Sequence, residues 1–259
     1  MNKTALITGA SGGIGKDLAY KFAENEYDVV LVARSEDKLA AIAADIEAKH
    51  HVQARVIPLD LANSQAPQML YDQLQGTPVD VLVNNAGFAS YGYFHETSTE
   101  EEMGMIQVNI TTLTHLTHLF LPDMVARRSG KIMNVASIAS FVPGPLMAVY
   151  YATKAYVLSF SEAIANEVAD KGITVTALCP GATESGFQER ASLHESKLLK
   201  NPIMRMMTSE EVAEAGYNGL MKGKAIVVPG IINKLTILSP RFFPRGMAVR
   251  ITRQMQERA

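Results

Sequence analysis

This chain of 259 residues has a single cysteine, no long apolar run and no excess of charge of one sign. The single cysteine, Cys179, excludes an internal disulfide and fits a reducing cytoplasm. No apolar run approaches the ~18 residues of a membrane-spanning helix, and the first one is too short for a signal peptide. A formal net charge of −2 gives no electrostatic basis for binding nucleic acid. We therefore expect a soluble, cytoplasmic protein.

A metal-ligand pattern is missing as well. The six histidines lie at positions 50, 51, 95, 115, 118 and 194. His115 and His118 share a helix face, but two ligands without a third do not make a transition-metal site. We expect no metal.

Short runs rich in Val, Ile and Leu alternate with longer segments of helical periodicity. The runs lie at 4–8, 28–33, 54–58, 79–84, 131–136, 173–179 and 225–228, and the helical segments at 13–25, 36–49, 66–75, 99–127, 146–171 and 209–222. Continuous apolar runs are typical of strands buried on both faces. The pattern predicts an α/β protein with a doubly wound parallel sheet of about seven strands and helices on both faces. Thr99 and Thr208, each with a glutamate three residues later, are predicted to cap helices.

The first predicted strand runs into TGASGGIG, residues 8–15. Glycines at 9, 13 and 15 permit a sharp turn and a close approach of a ligand to the backbone, and the free amides of the following helix favour an anion. Tight turns alone also select glycine, but the place between a strand and a helix favours a nucleotide. The candidate contacts are Gly9, Ser11, Gly13, Ile14 and Gly15.

Four motifs in order resemble the short-chain dehydrogenase/reductase family of the compact type. They are TGASGGIG at 8–15, NNAG at 84–87, Ser137, and Tyr-x-x-x-Lys from Tyr150 to Lys154, and Pro180–Gly181 follows them. The resemblance covers about residues 3–230. It implies a Rossmann-like fold, a nicotinamide cofactor and an active site centred on a tyrosine.

The segment VYYATKAY, residues 149–156, offers two tyrosines for that role. Tyr150 and Lys154 are four residues apart and share a helix face, whereas Tyr151 is turned ~100° away. An ammonium nearby favours a phenolate, so we expect Lys154 to lower the pKa of Tyr150 from ~10 towards the working pH. Tyr150 is the predicted general acid or base.

The resemblance assigns three partners to Tyr150. It implies that Lys154 also holds the nicotinamide ribose, that Ser137 holds the substrate oxygen, and that Asn109 supports a proton relay. Ser137 could instead turn the chain after its strand, and Ser140 lies close by, but Ser137 is at the strand end, where ligands approach an open sheet. Asn109 could be a polar residue that only bends its helix.

Cofactor preference is expected at the end of the second strand. Position 33 is alanine, not the carboxylate that would bind the ribose hydroxyls of NAD. Arg34 and Ser35 can hold the 2′-phosphate of NADP, although Arg34 could be an ordinary solvated residue. The resemblance adds further candidate cofactor contacts: Asp60 and Leu61 at the adenine, Asn85, Ala86 and Gly87 along the cofactor, Tyr150 and Lys154 at the ribose, and Pro180, Gly181, Thr183 and Ser185 near the nicotinamide.

Two segments are predicted to face the substrate. Residues 182–207 form the predicted lid, with apolar side chains suited to an adaptable pocket or simply to packing: Phe187, Leu193, Leu198, Ile203, Met204, Met206 and Met207. Residues 231–259 form a basic and apolar extension of the single domain at 1–230. We expect it to cover the pocket or a partner subunit, ahead of the alternative that it lies on an anionic membrane.

Together these features predict an NADP(H)-dependent oxidoreductase that acts on a carbonyl or secondary alcohol, apolar by the composition of the lid. One alternative is a 3-oxoacyl-thioester reductase. Another is a non-catalytic NADP-sensing protein, although a sensor has no need of Ser137, Tyr150 and Lys154 together. An epimerase of the extended relatives is disfavoured by its different glycine spacing. The resemblance also implies a homodimer or homotetramer.

Overall fold

The computed structural model describes residues 2–184, 186, 206–238, 242 and 244–257. Its strands are Thr4–Thr8 (β1), Asp28–Ala33 (β2), Ala54–Pro58 (β3), Val81–Asn84 (β4), Gly130–Val135 (β5), Ile173–Leu178 (β6), Thr183–Glu184 (β7), Met207–Thr208 (β8) and Ile226–Val227 (β9). Its α-helices are Gly13–Glu24 (α1), Glu36–His50 (α2), Ala66–Gln73 (α3), Thr99–Ile106 (α4), Leu113–Ala126 (α5), Ala148–Glu167 (α6), Ser209–Met221 (α7), Ile231–Leu238 (α8) and Arg245–Gln256 (α9).

Seven of these strands form one parallel sheet, in the order β3-β2-β1-β4-β5-β6-β9. The predicted seven-stranded, doubly wound sheet is therefore confirmed. The chain builds outward from β1 to β3 and then returns to place β4 on the other side of β1. The carboxyl ends of β1 and β4 thus diverge into a crevice, which is where open α/β sheets bind ligands. The short pair β7 and β8, which the sequence did not predict, lies apart from this sheet.

Each face of the sheet is covered by its own apolar core. On one face, α1, α2 and α7 pack on the strands through Leu18, Phe22, Leu39 and Leu220. On the other, α3 and α5 do the same through buried residues that include Leu70, Leu116 and Phe120. Because both faces are buried, the strands need continuous apolar sequence, and this is why they were visible as unbroken runs.

The two predicted helix caps have different outcomes. Thr208 caps α7 with a complete capping box: its hydroxyl accepts from the Glu211 amide at 3.1 Å, and the Glu211 carboxylate accepts from the Thr208 amide at 3.0 Å. The Thr99 prediction is wrong, because Ser98 is the residue that caps α4. Ser98 has the extended backbone that a cap requires, while Thr99 is already helical.

The C-terminal helices α8 and α9 pack beside the carboxyl edge of the sheet. The Tyr91 hydroxyl donates to the Gln256 carbonyl at 2.5 Å, and Arg253 lies 5.6 Å from the centre of the Tyr93 ring. Several large apolar side chains of α8 and α9 are exposed, among them Ile231, Leu235, Met247 and Ile251, and so is Phe242 between the two helices. None of the described helices is long and apolar enough to cross a membrane.

Candidate active site

The glycine-rich loop turns tightly against the end of β2. The amides of Gly9 and Ala10 donate to the Val32 carbonyl at 2.8 and 3.2 Å. Gly9 has φ +68°, a conformation that favours glycine. A Cβ on Gly15 would lie 2.4 Å from the Gly9 carbonyl oxygen, so no larger residue fits there. Helix α1 begins directly after this turn, and no described side chain caps its first amides. They are available to an anion.

Asn85 ties this loop to the end of β4. Its side-chain amide donates to the carbonyls of Thr8 and Gly9 at 2.8 and 3.2 Å, and its backbone amide donates to the Thr8 hydroxyl at 3.0 Å. The backbone of Ala86 bonds the same hydroxyl at 3.1 Å. Two of the predicted cofactor segments, 9–15 and 85–87, are thereby held as one rigid floor.

The predicted NADP-selecting residues lie beside that floor. Arg34 and Ser35 are exposed just after β2, two residues beyond the Val32 carbonyl that anchors the loop. No described residue pairs with the Arg34 guanidinium. Asp60 is exposed at the end of β3, and the neighbouring Leu61 is buried. Because β2 and β3 are paired in parallel, these residues share one edge of the sheet.

Tyr150 and Lys154 lie on one face of α6, as the spacing predicted, and both are buried. The Lys154 Nζ is 5.8 Å from the centre of the Tyr150 ring and donates to the Val135 carbonyl at 2.7 Å. The Tyr151 ring stands almost perpendicular to the Tyr150 ring, with centroids 6.0 Å apart. Both tyrosines line the same cavity, although only Tyr150 shares the helix face of Lys154.

Burial is the main influence on the ionisation of both Tyr150 and Lys154. Desolvation raises the pKa of Tyr150 to about 12, while its hydrogen bond with Ser137 acts in the opposite direction. Desolvation lowers the pKa of Lys154 to about 8. The expectation of a lowered pKa for Tyr150 is therefore wrong, because desolvation of the buried phenolate outweighs the opposing effect of the Ser137 hydrogen bond.

Ser137 is placed to act together with Tyr150. It follows β5, hydrogen-bonds Tyr150, and lines the cavity. Its hydroxyl also accepts from the Ala139 amide at 3.1 Å and lies 3.4 Å from the Pro180 carbonyl. Ser140, the alternative in the sequence, donates instead to the Lys154 carbonyl at 2.7 Å. Ser140 therefore supports the backbone of α6, which leaves Ser137 as the serine of the site.

Asn109 is buried in a π-helical segment, Gln107–Thr112, between α4 and α5. Its amide donates to the Phe88 carbonyl at 3.0 Å and to the Thr153 hydroxyl at 3.1 Å, and its oxygen accepts from the Phe88 amide at 3.2 Å. A Cβ on Gly87 would lie 2.9 Å from the Asn109 Oδ1 and 3.6 Å from the Lys154 Nζ. Asn109 thus fixes the loop after β4 against α6, beside the lysine.

A cavity of about 430 Å³ opens next to Ser137 and Tyr150. The residues around it come from the end of β5, from α6, from the turn after β6 and from α8 and α9: Ile138, Ala139, Val142, Met147, Tyr151, Gly181, Ala182, Met207, Glu211, Gly230, Ile231, Ile232, Asn233, Thr236, Thr252, Met255 and Gln256. Most of this wall is apolar, which suits an apolar substrate.

The predicted lid is only partly visible. Pro180, Gly181 and Thr183 lie at the end of β6 and at β7, and the Thr183 hydroxyl donates to the Gly181 carbonyl at 3.0 Å. Met207 lines the cavity. Ser185, Phe187, Leu193, Leu198, Ile203 and Met204 lie outside the described residues.

Two features of the site were predicted only in outline. One is the cavity wall formed by α8 and α9: the composition of residues 231–259 predicted that this segment covers the pocket or a partner subunit, but no motif singled out Gln256. The other is a buried polar network in which the Asn84 amide donates to Thr117 and Asn134 at 3.1 and 2.9 Å, and Asn134 donates to Ser161 at 2.9 Å. Asn84 belongs to the NNAG motif, and Asn134 is a polar residue in the predicted apolar strand 131–136, but no sequence pattern related the two. The network joins the central strands to α5 and α6 directly beneath the site.

No described group of histidine, cysteine or acidic side chains is arranged to hold a metal ion. His115 is partly exposed and His118 is exposed on α5.

Comparison with known proteins gives one family and several relatives. The model of a family described as short chain dehydrogenase matches residues 3–196. A very-long-chain 3-oxoacyl-CoA reductase of Laccaria bicolor is 40% identical over 175 residues, 66% of this chain and 52% of that protein. The chain spans between 52% and 60% of the length of this and similar curated relatives.

Two solved structures extend the likeness to nearly the whole chain. A short-chain dehydrogenase from Sphingobium yanoikuyae in complex with NADPH has a TM-score of 0.83 at 31% identity, covering 95% of this chain and 94% of that one. A bulky-bulky ketone specific alcohol dehydrogenase from Comamonas testosteroni has a TM-score of 0.78 at 28% identity, covering 93% of each chain.

Proposed function

Because the chain belongs to the short-chain dehydrogenase family, we propose that it is an NADP(H)-dependent oxidoreductase acting on a carbonyl or secondary alcohol of an apolar compound. The observation that carries the proposal is the meeting of Ser137 and Tyr150 in the cavity wall, with Lys154 buried beside the Tyr150 ring. A proton donor, a hydrogen-bond donor and a cation at the carboxyl edge of the sheet are the groups that carbonyl reduction needs.

The roles follow from the atoms that each group presents. A bound nicotinamide supplies the hydride in reduction and accepts it in oxidation. The Ser137 hydroxyl donates to the substrate carbonyl oxygen and polarises it. Tyr150 passes its phenolic proton to the same oxygen, so that C=O becomes CH–OH, and takes that proton back in oxidation. The raised pKa of Tyr150 keeps the proton in place until the substrate arrives.

Lys154 supports Tyr150 from behind. Its ammonium, held by the Val135 carbonyl, stabilises the phenolate that forms when Tyr150 has given up its proton. It also holds the nicotinamide ribose in this proposal. Asn109 has the position for a proton relay, beside Gly87 and Lys154, and its present hydrogen bonds fix the loop and helix around them. The relay remains a prediction.

The cofactor would lie along the rigid floor described above. The turn at Gly9, Ser11, Gly13, Ile14 and Gly15 and the start of α1 receive the pyrophosphate, Asp60 and Leu61 the adenine, and Asn85, Ala86 and Gly87 the middle of the cofactor. Pro180, Gly181 and Thr183 border the nicotinamide end. The fit rests on the uncapped amides of α1 and on the space left by Gly9 and Gly15.

Preference for NADP(H) over NAD(H) is proposed from Arg34 and Ser35. Both are exposed beside the glycine turn, and no described carboxylate occupies the Arg34 guanidinium. A guanidinium there favours a 2′-phosphate, whereas an acidic residue would repel it. The NADPH complex of the Sphingobium yanoikuyae relative supports the same preference.

Two substrate classes fit the apolar cavity. The first is a bulky ketone, consistent with the ketone-specific Comamonas testosteroni relative. The second is a 3-oxoacyl thioester, consistent with the Laccaria bicolor relative. A non-catalytic NADP sensor stays as a third possibility of another class, and it is disfavoured because sensing needs neither Ser137 nor Tyr150 in a cavity.

We also propose how the chain is divided into domains, how it assembles and where it is located. We propose one domain at 1–230 with 231–259 packed over its pocket, because α8 and α9 contribute to the cavity wall. Assembly as a homodimer or homotetramer would use the outer faces of α5 and α6, where Tyr156 is 37% exposed and stacks on Phe160. Location in the cytoplasm is proposed from the one cysteine alone, Cys179, which is buried and free.

The proposed reaction is tested by following NADPH oxidation against simple ketones, bulky ketones, diketones and 3-oxoacyl thioesters. Tyr150→Phe should lower kcat by roughly a hundredfold to ten-thousandfold for every reactive compound, because it removes only the proton donor. Tyr151→Phe is the matched control, with the same atom lost from the adjacent residue, and should keep the chemical step. Tight NADPH binding without turnover of any compound would favour the sensor, and activity that survives Tyr150→Phe would refute the mechanism.

A further inference from the structure

Gln256, near the end of the chain, is a polar side chain held inside the apolar cavity. It is 1% exposed and lines the cavity from the last turn of α9. Its Nε2 donates to the Tyr151 hydroxyl at 2.5 Å and lies 3.6 Å from the Met147 sulfur. Its backbone carbonyl accepts from the Tyr91 hydroxyl at 2.5 Å. The amide is therefore fixed in place at both its backbone and its side chain.

The other end of this amide lacks a partner. Gln256 Oε1 is buried and accepts no hydrogen bond from any described residue. Leaving a buried acceptor unpaired costs about 1–3 kcal/mol, so each such group calls for a physical explanation, and a bound polar group is one. The Tyr151 hydroxyl accepts a hydrogen bond from Gln256 Nε2. No described residue accepts a hydrogen bond from the Tyr151 hydroxyl. One acceptor and one donor thus stand side by side.

We propose that Gln256 and Tyr151 form a second polar subsite of the cavity, which binds a hydroxyl group carried by the substrate away from its reacting carbonyl. The inference rests on the proposed function and adds the substrate class, an apolar hydroxyketone. The substrate hydroxyl donates to Gln256 Oε1 and accepts from the Tyr151 hydroxyl. Hydride from NADPH and the proton from Tyr150 convert the ketone carbonyl to CH–OH, so a hydroxyketone gives a diol, and the hydroxyl held at the subsite does not react.

A hydroxyl fits this subsite better than a second carbonyl does. Rotating the Gln256 amide by half a turn exchanges its oxygen and nitrogen, which leaves a free donor in place of the free acceptor. A hydroxyl, which both donates and accepts, satisfies either arrangement, whereas a carbonyl satisfies only a donor.

The subsite also predicts selectivity. A compound without the hydroxyl leaves both polar groups unpaired in an apolar wall, and sites built to bind a hydroxyl reject such analogues strongly. We expect hydroxyketones to exceed their deoxy counterparts in kcat/KM by about tenfold or more. Most of the difference should appear in KM, because the contact exists before and during the reaction.

The experiment uses pairs of bulky ketones that differ only in one hydroxyl, with NADPH oxidation measured for four proteins. The parent should prefer the hydroxylated member. Gln256→Leu and, separately, Tyr151→Phe should remove most of that preference by raising KM for the hydroxyketone. Thr252→Val is the matched control, because Thr252 lines the same cavity but its hydroxyl is already bonded to the Ala248 carbonyl at 2.9 Å. It should keep the preference.

Two results would overturn the subsite. One is equal kcat/KM for both members of every pair in the parent, and the other is an unchanged preference in Tyr151→Phe, a variant that loses only one oxygen atom. If no ketone at all oxidises NADPH, the proposed function fails. The subsite is then judged by calorimetric binding of the same pairs to the NADPH-loaded parent, where equal affinities would overturn it.

Discussion

The active-site cleft has a cofactor side formed mainly by backbone and a substrate side formed mainly by side chains. The cofactor side consists of backbone turns at the ends of β1, β2 and β4, locked by Asn85 and with room only for glycine at position 15. The substrate side consists of side chains on α6, α8 and α9 around one cavity. A backbone surface recognises what every nicotinamide cofactor shares, whereas a side-chain surface can be changed without disturbing the sheet. This difference explains why sequence motifs predict the cofactor side but not the substrate side.

The largest expected effect on activity comes from removing part of the substrate side while the cofactor side is kept. Ending the chain before residue 245 deletes α9 and with it Thr252, Met255 and Gln256 from the cavity wall. We expect kcat/KM for an apolar ketone to fall by about a hundredfold or more, because substrate positioning is lost. NADPH affinity, measured by fluorescence titration, should stay within about threefold. A comparable loss of NADPH affinity would show that the two sides are not separable.

Breaking the cofactor side should cost stability instead. Gly15→Ala places a Cβ 2.3 Å from the Asn85 side chain and 2.4 Å from the Gly9 carbonyl, and we expect it to destabilise the cofactor-free protein by about 3 kcal/mol. Gly12→Ala is the control, since nothing lies within 4 Å of a Cβ there and its φ is 176°. Urea unfolding of both variants makes the measurement. Equal midpoints would mean that the turn relaxes easily.

Lys154 lies where the two sides meet, and its burial has a measurable cost. Its pKa falls to about 8 from 10.5, so below pH 8 the folded cofactor-free protein carries the full penalty of a buried ammonium. Lys154→Met should therefore abolish activity yet stabilise the fold at pH 7 by about 2 kcal/mol, after allowing for the Val135 carbonyl left unpaired.

The pH dependence gives the sign of that effect. Between pH 8 and 10.5 the unfolded parent binds more protons than the folded parent, so the parent gains stability as pH rises. The advantage of Lys154→Met should therefore shrink over this range in urea unfolding experiments. A constant advantage would assign it to packing alone.

The smallest expected effect concerns Arg34, at the outer edge of the cofactor side. Arg34→Ala should raise the Kd of NADPH about tenfold and leave that of NADH nearly unchanged, because only the 2′-phosphate contact is lost. Lys38→Ala, which removes an exposed cation one turn further along α2, is the matched control. Equal effects on both cofactors would remove Arg34 from the phosphate site.

The sequence predicted the strands and the cofactor side of the cleft better than it predicted the substrate side. Strands buried on both faces are continuous apolar runs, so β1 to β6 were found within two residues, and the spacing of Tyr150 and Lys154 placed them on one face. The pKa of Tyr150 was predicted in the wrong direction, because desolvation depends on the tertiary packing around the ring. Gln256 was missed because no local pattern relates it to Tyr151, 105 residues earlier.

The bond between Tyr91 and Gln256 spans 165 residues of sequence, and this sets the order in which the molecule can be completed. During synthesis, at about 5–20 residues per second, the strands and turns of the cofactor side leave the ribosome several seconds before α9 does. Contacts of such long separation also require the largest loop closure. The cavity on the substrate side therefore closes only after α9 has been made, later than the strands and turns of the cofactor side.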